Sequence, residues 1–428
     1  MDTTPSYDRA CFAYRSYQGD AVAECDALLA QDPEQLDAHL LRACALVLSS
    51  ERQYQGEAAA GVSAAQALAA KASPAQQAWT AATAALVSGQ WYRAGTLLDE
   101  TLALAPTHVV ALQTAHVLDF MLGDATNLRN RPGRALLNWP AEDLAYSYVQ
   151  GMYAFGLEEC NEFDQALAVG ERAVAADPRD AWATHAVAHV LEMRGEAASG
   201  ERWLADSATH WHSDCGMACH NWWHKALFHI DLDDVAAATA IVDDEILPNL
   251  QGASLELLDV SSMLLRLKLL GVAVEDRAQG IAAQWAGKLE QEPGYYAFND
   301  VHAGFAFLLA GDLERLAELK ARAQLAQPRL GETSARMSAT IGVPILSALL
   351  RLGADDAAGA ADLLEPVRAI SVRFGGSNAQ RDILNWLLID ASARAGRHAR
   401  ALQLLDERRA SRPEAAFSRR WREQLRSA

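Results

Sequence analysis

Residues 178–195 read PRDAWATHAVAHVLEMRG and residues 196–207 read EAASGERWLADS, and this stretch decides the fold. After Pro178 come about four helical turns, closed by Gly195, and a second helical stretch follows. Proline suits a first helical turn, where its missing N–H would be unpaired anyway, and glycine suits the left-handed residue that ends a helix. The same grammar recurs outward from here. Pro33, Pro74, Pro106, Pro140 and Pro178 are separated by 41, 32, 34 and 38 residues. A period in the mid-thirties marks a helix–turn–helix repeat of the tetratricopeptide kind. AQQAWTAATAALVSG ends at Gly89 and THVVALQTAHVLDFMLG ends at Gly123. GYYAFNDVHAGFAFLLAG follows Pro293, and its partner stretch ends at Pro328, a gap of 35. Strand signals are nearly absent, while Ala, Leu, Glu and Arg, all good helix formers, dominate.

The expected fold is therefore an all-α, tetratricopeptide-like superhelical solenoid of helix–turn–helix repeats, curled around a concave central groove. It runs as one unit over 1–428, with sub-halves 1–248 and 249–428. ATNLRNRPGRALLNWP, around 125–140, reads as an ordered excursion loop, and LPNLQGASLE, 247–256, as the join between the halves.

Charge narrows the function. The chain has 428 residues with 37 Lys+Arg against 55 Asp+Glu, a net −18. So acidic a chain is a poor partner for nucleic-acid phosphates or an anionic membrane surface. Six cysteines in this length are too few for a disulfide scaffold, which fits a reducing, cytoplasmic setting. The first residues lack a basic segment followed by an apolar run, and no uninterrupted apolar stretch approaches a membrane span.

Histidine placement points to a site. His185 lies ten residues before Gly195, His302 nine before Gly311, and His224 nine before Asp233. Equivalent positions on the first helix of stacked pairs converge on one groove. His116 and His189 lie about one turn further along. His185/His189 and His220/His224 are i, i+4 pairs, so each pair shares a helix face and could chelate a metal such as zinc or flank a substrate. His185, His189, His220, His224 and His302 are thus the candidate metal ligands, with Asp300, Glu158 and Glu159 as candidate oxygen donors.

Other residues carry weaker signals. Cys215 and Cys219 have a C-x3-C spacing, which is uncommon in structural zinc sites. Glu158 and Glu159 end a helix, where acid opposes the macrodipole, so they do not serve helix stability. One reads as solvated charge before a turn, the other as a general base or a partner orienting a groove histidine. Ser377-Asn378-Ala379-Gln380 has the form of a capping box, and Arg381 behind it could bind a substrate carboxylate or pair with a neighbouring repeat. No P-loop, dinucleotide fingerprint, HExxH or GxSxG occurs.

AFGLEECNEFDQA, WATHAVAHVLEMRG, HNWWHKALFHIDLDD, FNDVHAGFAFLLAG and GGSNAQRDIL, in that order, resemble the tetratricopeptide repeat protein 38 family. The likeness spans about residues 110–385. It implies a helical-repeat fold of this length and matches the family pattern at His116, Glu158, Glu159, His185, His189, His220, Asn221, Trp223, His224, Asn299, Asp300, His302, Ser377, Gln380, Arg381 and Asp382. Cys160, Cys215 and Cys219 fall outside that pattern, which speaks against a thiol nucleophile or a Cys-ligated zinc.

Two functions of different class follow. In the first, the chain is an enzyme acting on a small molecule by His/carboxylate acid–base chemistry, with or without a metal. Hydrolysis or acyl/amide transfer is favoured over redox. His185, His224, His302, Glu158 and Glu159 are then the catalytic set. His116, His189, His220, Asn221, Trp223, Asn299, Asp300 and Arg381 surround the substrate. In the second, the groove cups a peptide or protein partner, with Trp182, Trp222, Trp223, Tyr295 and Tyr296 as contacts. A homodimer is compatible with either.

Overall fold

In the computed structural model the described residues are 6–325, 331–413 and 415–427. They form helices α1 Tyr7–Ser16, α2 Ala21–Gln31, α3 Leu36–Leu48, α4 Gln55–Leu68, α5 Pro74–Val87, α6 Trp91–Leu104, α7 Val109–Leu122, α8 Ala125–Leu136, α9 Tyr146–Glu159, α10 Phe163–Ala176, α11 Ala181–Met193 and α12 Ala197–Ser207. There follow α13 Ala218–Asp231, α14 Val235–Ile241, α15 Ser254–Leu269, α16 Glu275–Ala286, α17 Ala297–Leu309, α18 Leu313–Leu325, α19 Thr333–Met337, α20 Val343–Gly353, α21 Ala357–Arg368, α22 Asn378–Arg381, α23 Ile383–Arg394, α24 His398–Ser411 and α25 Ala416–Ser427. No strand occurs among the described residues. The class is all-α, with tetratricopeptide-like helix–turn–helix repeats.

The chain divides into two compact units. One holds residues up to 187 with 207–218 and 331–333; the other holds 188–206, 219–325 and 334 onward. The break expected near 248 falls inside the second unit. There a short turn, Leu247–Asn249, leads to α15, and the Glu256 carboxylate accepts the N–H groups of Gln251 and Ala253.

Punctuation of the repeats follows backbone chemistry. Gly89, Gly123, Gly195 and Gly311 all have positive φ, between 67° and 77°. Asp233 takes the same role at φ 68°, as the register of His224 requires. Proline behaves less uniformly than the pattern implies. Pro74 does occupy the first turn of α5, behind a capping box of Ser73 and Gln76. Pro33, Pro106 and Pro178 instead sit in the turns between hairpins. At Pro178 the start of α11 is fixed by Asp180, whose Oδ1 accepts the Ala183 N–H at 2.9 Å. Pro328, read above as the end of one repeat, lies outside the described residues.

The expected loop at 125–140 is mostly helix α8, with Pro132 inside it. Asp124 caps its start through the Asn127 N–H at 3.0 Å. An interior proline withholds the hydrogen bond to the carbonyl four residues earlier, here Leu128. That carbonyl faces the His116 ring, which raises its basicity slightly against the dominant effect of burial.

Helices within each unit approach closely where side chains are small. A Cβ on Gly170 of α10 would meet Val187 at 2.7 Å, and one on Gly200 of α12 would meet the Phe228 ring at 2.1 Å. Trp79, Trp91, Trp211, Trp223 and Trp386 are each less than 2% exposed. Burying one such ring removes roughly 200 Å² from water, an upper value of about 5 kcal/mol. One continuous helical stretch, Thr333–Gly353, has the length and hydropathy of a membrane span, with a mean of 1.2. It is 61% buried within the fold, as a core helix is.

Candidate functional site

The second unit gathers three of the candidate histidines. His189 comes from α11, and His220 and His224 from successive turns of α13. The His189 and His224 rings are 4.5 Å apart and those of His220 and His224 4.8 Å. One ring nitrogen from each lies within 4.8 Å of the others. Two of the three rings have a carboxylate behind them. His224 Nδ1 is 2.8 Å from Glu192 Oε2, and His220 Nδ1 is 2.8 Å from Asp259 Oδ2. With each carboxylate accepting, Nδ1 is the donor in both pairs. Burial, then the neighbouring His189 and His220, hold the pKa of His224 well below the ordinary histidine value, so it is neutral at pH 7.

A buried ion network lies behind this pair. Arg412 Nη1 is 2.5 Å from Glu192 Oε1, and its Nε is 3.7 Å from Asp382 Oδ2. Arg408 donates to both oxygens of Asp382, at 2.8–3.1 Å. Arg266 from α15 spreads over the Trp223 ring at 5.2 Å and donates to the carbonyls of Ser262 and Ala379. Trp223 is fixed in turn by its indole N–H on Ser262 Oγ at 3.0 Å. Burial lowers Arg266 to about 10. For Asp382 burial works the other way, but the Arg408 and Arg412 charges outweigh it and hold the carboxyl far below its usual range.

Some expected members lie elsewhere. His302 is not in the histidine group among the described residues. Its Nδ1 donates to the Phe298 carbonyl at 2.7 Å, and its ring is held between Phe298 and Phe305. Matched register set its height along α17, but a whole repeat carrying α15 separates α13 from α17, and Arg266 of α15 acts on both histidines. Asp300 accepts the Gly294 N–H at 2.9 Å and shapes the turn before α17. Asn299 is buried on the same helix. Arg381 bonds the Gly376 carbonyl and, at 2.8 Å, Asn378 Oδ1, both contacts within its own turn. Ser377 and Gln380 form the expected capping box.

The first unit holds the remaining candidates. His185 packs on Phe155 at 5.4 Å and Trp182 at 5.2 Å, and His116 lies 5.5 Å from Trp182. Burial pushes His116 down to about 3. A small cavity of about 10 Å³ is lined by His116, Gln113, Asp180, Trp182, Arg15 and Tyr17, among others. That is room for about one water. Glu158 and Glu159 end α9 as expected, but both are buried, so neither is the solvated charge anticipated.

The thiols are placed as small apolar groups. Burial raises Cys215 to about 11 and puts Cys219 well above its usual range, so both stay protonated at neutral pH. Cys160 donates to the Ala125 carbonyl at 3.3 Å. Of the aromatics expected to grip a peptide, Trp223, Tyr295 and Tyr296 are buried, and Trp182 and Trp222 are half-buried.

Asp180 gives a pH prediction. Burial raises its carboxyl to about 7, from about 3.9 in an unfolded chain. A raised native pKa contributes stability that is complete below the unfolded value and is lost as pH rises through the native one. The thermal stability of the native chain should therefore fall between about pH 4 and 7. Asp180→Asn keeps an acceptor for the Ala183 N–H and should flatten that part of the profile. Asp180→Ala should flatten it too and lose about 1 kcal/mol at every pH with the cap. An unaltered pH slope in Asp180→Asn would contradict the assignment.

Sequence reading missed Glu192, Asp259, Arg266, Arg408 and Arg412. One signal was available: Asp259 and Arg266 stand seven apart in the apolar run SLELLDVSSMLLRLKL, hence on one buried stripe.

No family model matches the chain. Among solved structures, it is similar to a human IFIT1 dimer with m7Gppp-AAAA, at 12% identity, covering 100% of this chain and 95% of that one, with a TM-score of 0.46. A human IFIT1 dimer with PPP-AAAA gives 13% identity, coverage of 99% of each chain and a TM-score of 0.45. Naa15/Naa10 bound to HypK-THB gives 14% identity, coverage of 98% and 66%, and a TM-score of 0.27. Likeness at this level carries no functional argument, so function rests on the site.

Proposed function

We propose that this protein is a histidine-dependent enzyme that binds a small polar molecule and transforms it by acid–base chemistry, by hydrolysis or by acyl or amide transfer. The observation that carries the reading is the pair of adjacent imidazole–carboxylate units, His224–Glu192 and His220–Asp259. In this arrangement His224 acts as general base through Nε2, and Glu192 holds the tautomer and stabilises the imidazolium that forms. The His224 imidazolium then returns that proton to the leaving group, and His220, backed by Asp259, lines the site beside it.

Two buried polar groups support a bound substrate. Neither Asn221 Nδ2 nor Oδ1 has a hydrogen-bond partner among the described residues, and the residue lies three before His224, on the same helix face. An amide donor there suits an oxyanion. Arg412 Nη2 is likewise buried without a partner and takes the anion-anchoring role that the sequence suggested for Arg381. The scaffold reading loses support because a peptide groove needs accessible aromatics, and Trp223, Tyr295 and Tyr296 are buried. Kinship with the tetratricopeptide repeat protein 38 family belongs to the same proposal and rests on the five sequence blocks quoted above.

The test is turnover of a panel of p-nitrophenyl esters and amino-acid p-nitroanilides, extended by mass spectrometry of a small-metabolite extract incubated with the protein. The expected result is consumption of at least one compound, slowed by about 10²–10⁴-fold in His224→Asn. Full activity in His224→Asn, or no compound changed by the wild type, would overturn the proposal.

A further inference from the structure

We infer that His189, His220 and His224 form a binding site for one divalent transition-metal ion of the zinc class, held by imidazole nitrogens with Glu192 and Asp259 as supporting carboxylates. The inference rests on reading this cluster as the functional site, but it concerns binding and can be tested without a substrate.

Three features of the geometry point to it. The first is convergence: one ring nitrogen of each histidine lies within 4.8 Å of the others. Zinc–nitrogen bonds of about 2.0–2.1 Å at tetrahedral angles place ligand nitrogens about 3.4 Å apart, so adjustments of about an ångström bring the rings onto one ion. The second is orientation. Metal-bound histidines commonly donate their other ring N–H to a carboxylate, which fixes the tautomer and strengthens the ligand. His224 does so to Glu192 and His220 to Asp259, both at 2.8 Å, which leaves Nε2 as the coordinating atom in each. The third is the second tier of support. Glu192 is itself held by Arg412, and the Trp223 ring, 4.8 Å from His224, is pinned through Ser262. Ligand rotamers locked in this way are what a precise site needs.

The donor set selects the ion. Imidazole nitrogen suits zinc, copper, nickel and iron, whereas calcium and magnesium require oxygen ligands. Cys219, on the same helix as His220 and His224, is not in the nitrogen group among the described residues, so the site is of the histidine type. An ion here takes the same Nε2 lone pair that His224 would use as a base, so the ion-loaded and the ion-free acid–base forms of the site are alternatives.

The experiment uses untagged, full-length protein, dialysed against chelator and then titrated separately with Zn²⁺, Co²⁺ and Mg²⁺. The expected result is about one equivalent of Zn²⁺ per chain by mass spectrometry, visible tetrahedral Co²⁺ bands that Zn²⁺ displaces, and no Mg²⁺ retained. His224→Ala and His220→Ala should abolish retention. Asp259→Asn keeps the fold's packing and should weaken Zn²⁺ affinity about 10–100-fold. Circular dichroism of each variant separates loss of the ion from loss of fold, and Asp259→Asn remains decisive if an alanine variant fails to fold. No retained Zn²⁺ or Co²⁺ in folded wild type, or unchanged affinity in folded His224→Ala and Asp259→Asn, would overturn the inference. Metal bound without turnover of any compound would remove the proposed reaction and leave the site. Turnover by chelator-treated protein that binds no ion would do the reverse.

Discussion

Asp382→Ala is expected to lower the free energy of unfolding by about 3–5 kcal/mol, the usual effect of removing one partner from a buried ion pair. Asp382 accepts from Arg408 through both oxygens and lies 3.7 Å from Arg412 Nε. It also accepts the Trp386 indole N–H at 3.0 Å and the Asn385 amide at 3.0 Å. All three charged residues are nearly inaccessible. Without the carboxylate, Arg408 retains Ser418 as a neutral hydrogen-bond partner and Arg412 retains Glu192, with the Asp231 carboxyl acting on both from further off. A buried guanidinium cannot lose its proton to escape, so the desolvation cost stays with the variant. The acid limb of wild-type stability carries the same sign. A carboxyl whose native pKa lies below its unfolded one stabilises above about pH 3.9 and loses that contribution as pH falls further. Urea unfolding followed by tryptophan fluorescence should show the loss at pH 7 and a shrinking difference between variant and wild type towards pH 2. A change below about 1 kcal/mol at pH 7 would mean that the network is solvated rather than buried.

What could be read from the chain follows from the range of the forces involved. Helix ends are local events, and Gly89, Gly123, Gly195, Gly311 and Asp233 end helices with positive φ as their spacing implied. The i, i+4 histidine pair of α13 is equally local, and both rings join the cluster. The partners were not local. Glu192 meets Arg412 and Asp259 meets His220 only because one repeat stacks on another, and nothing in the spacing of either sequence names the other. His302 shows the converse: its height along the helix was right, but the neighbouring repeat placed it between phenylalanines. Pro132 was misread for a related reason. Pro132 leaves the Leu128 carbonyl without its helical donor, yet α8 continues through it, capped by Asp124 and packed closely on α9 at Gly156.

Gly156→Ala is expected to cost about 3 kcal/mol or more, at the upper end for overpacking, although alanine is the better helix former. A Cβ at Gly156 in α9 would lie 2.3 Å from the Leu128 carbonyl oxygen and 2.4 Å from Arg129 Cα and N. Those are backbone atoms of α8, so no rotamer change relieves the contact and the two helices must separate. The shift would carry Glu158 and Glu159, which follow Gly156 directly, and would disturb the Leu128 carbonyl facing His116. Gly280→Ala in α16 provides the opposite sign. It is exposed in mid-helix, a Cβ there meets nothing within 4 Å, and the change should stabilise by about 1 kcal/mol through propensity alone. Thermal midpoints of the two variants should therefore move apart, down for Gly156→Ala and up for Gly280→Ala. Equal shifts would show that α8 and α9 are not in backbone contact. The contrast isolates packing from helix propensity, because the atoms added are the same in both and only the neighbours differ.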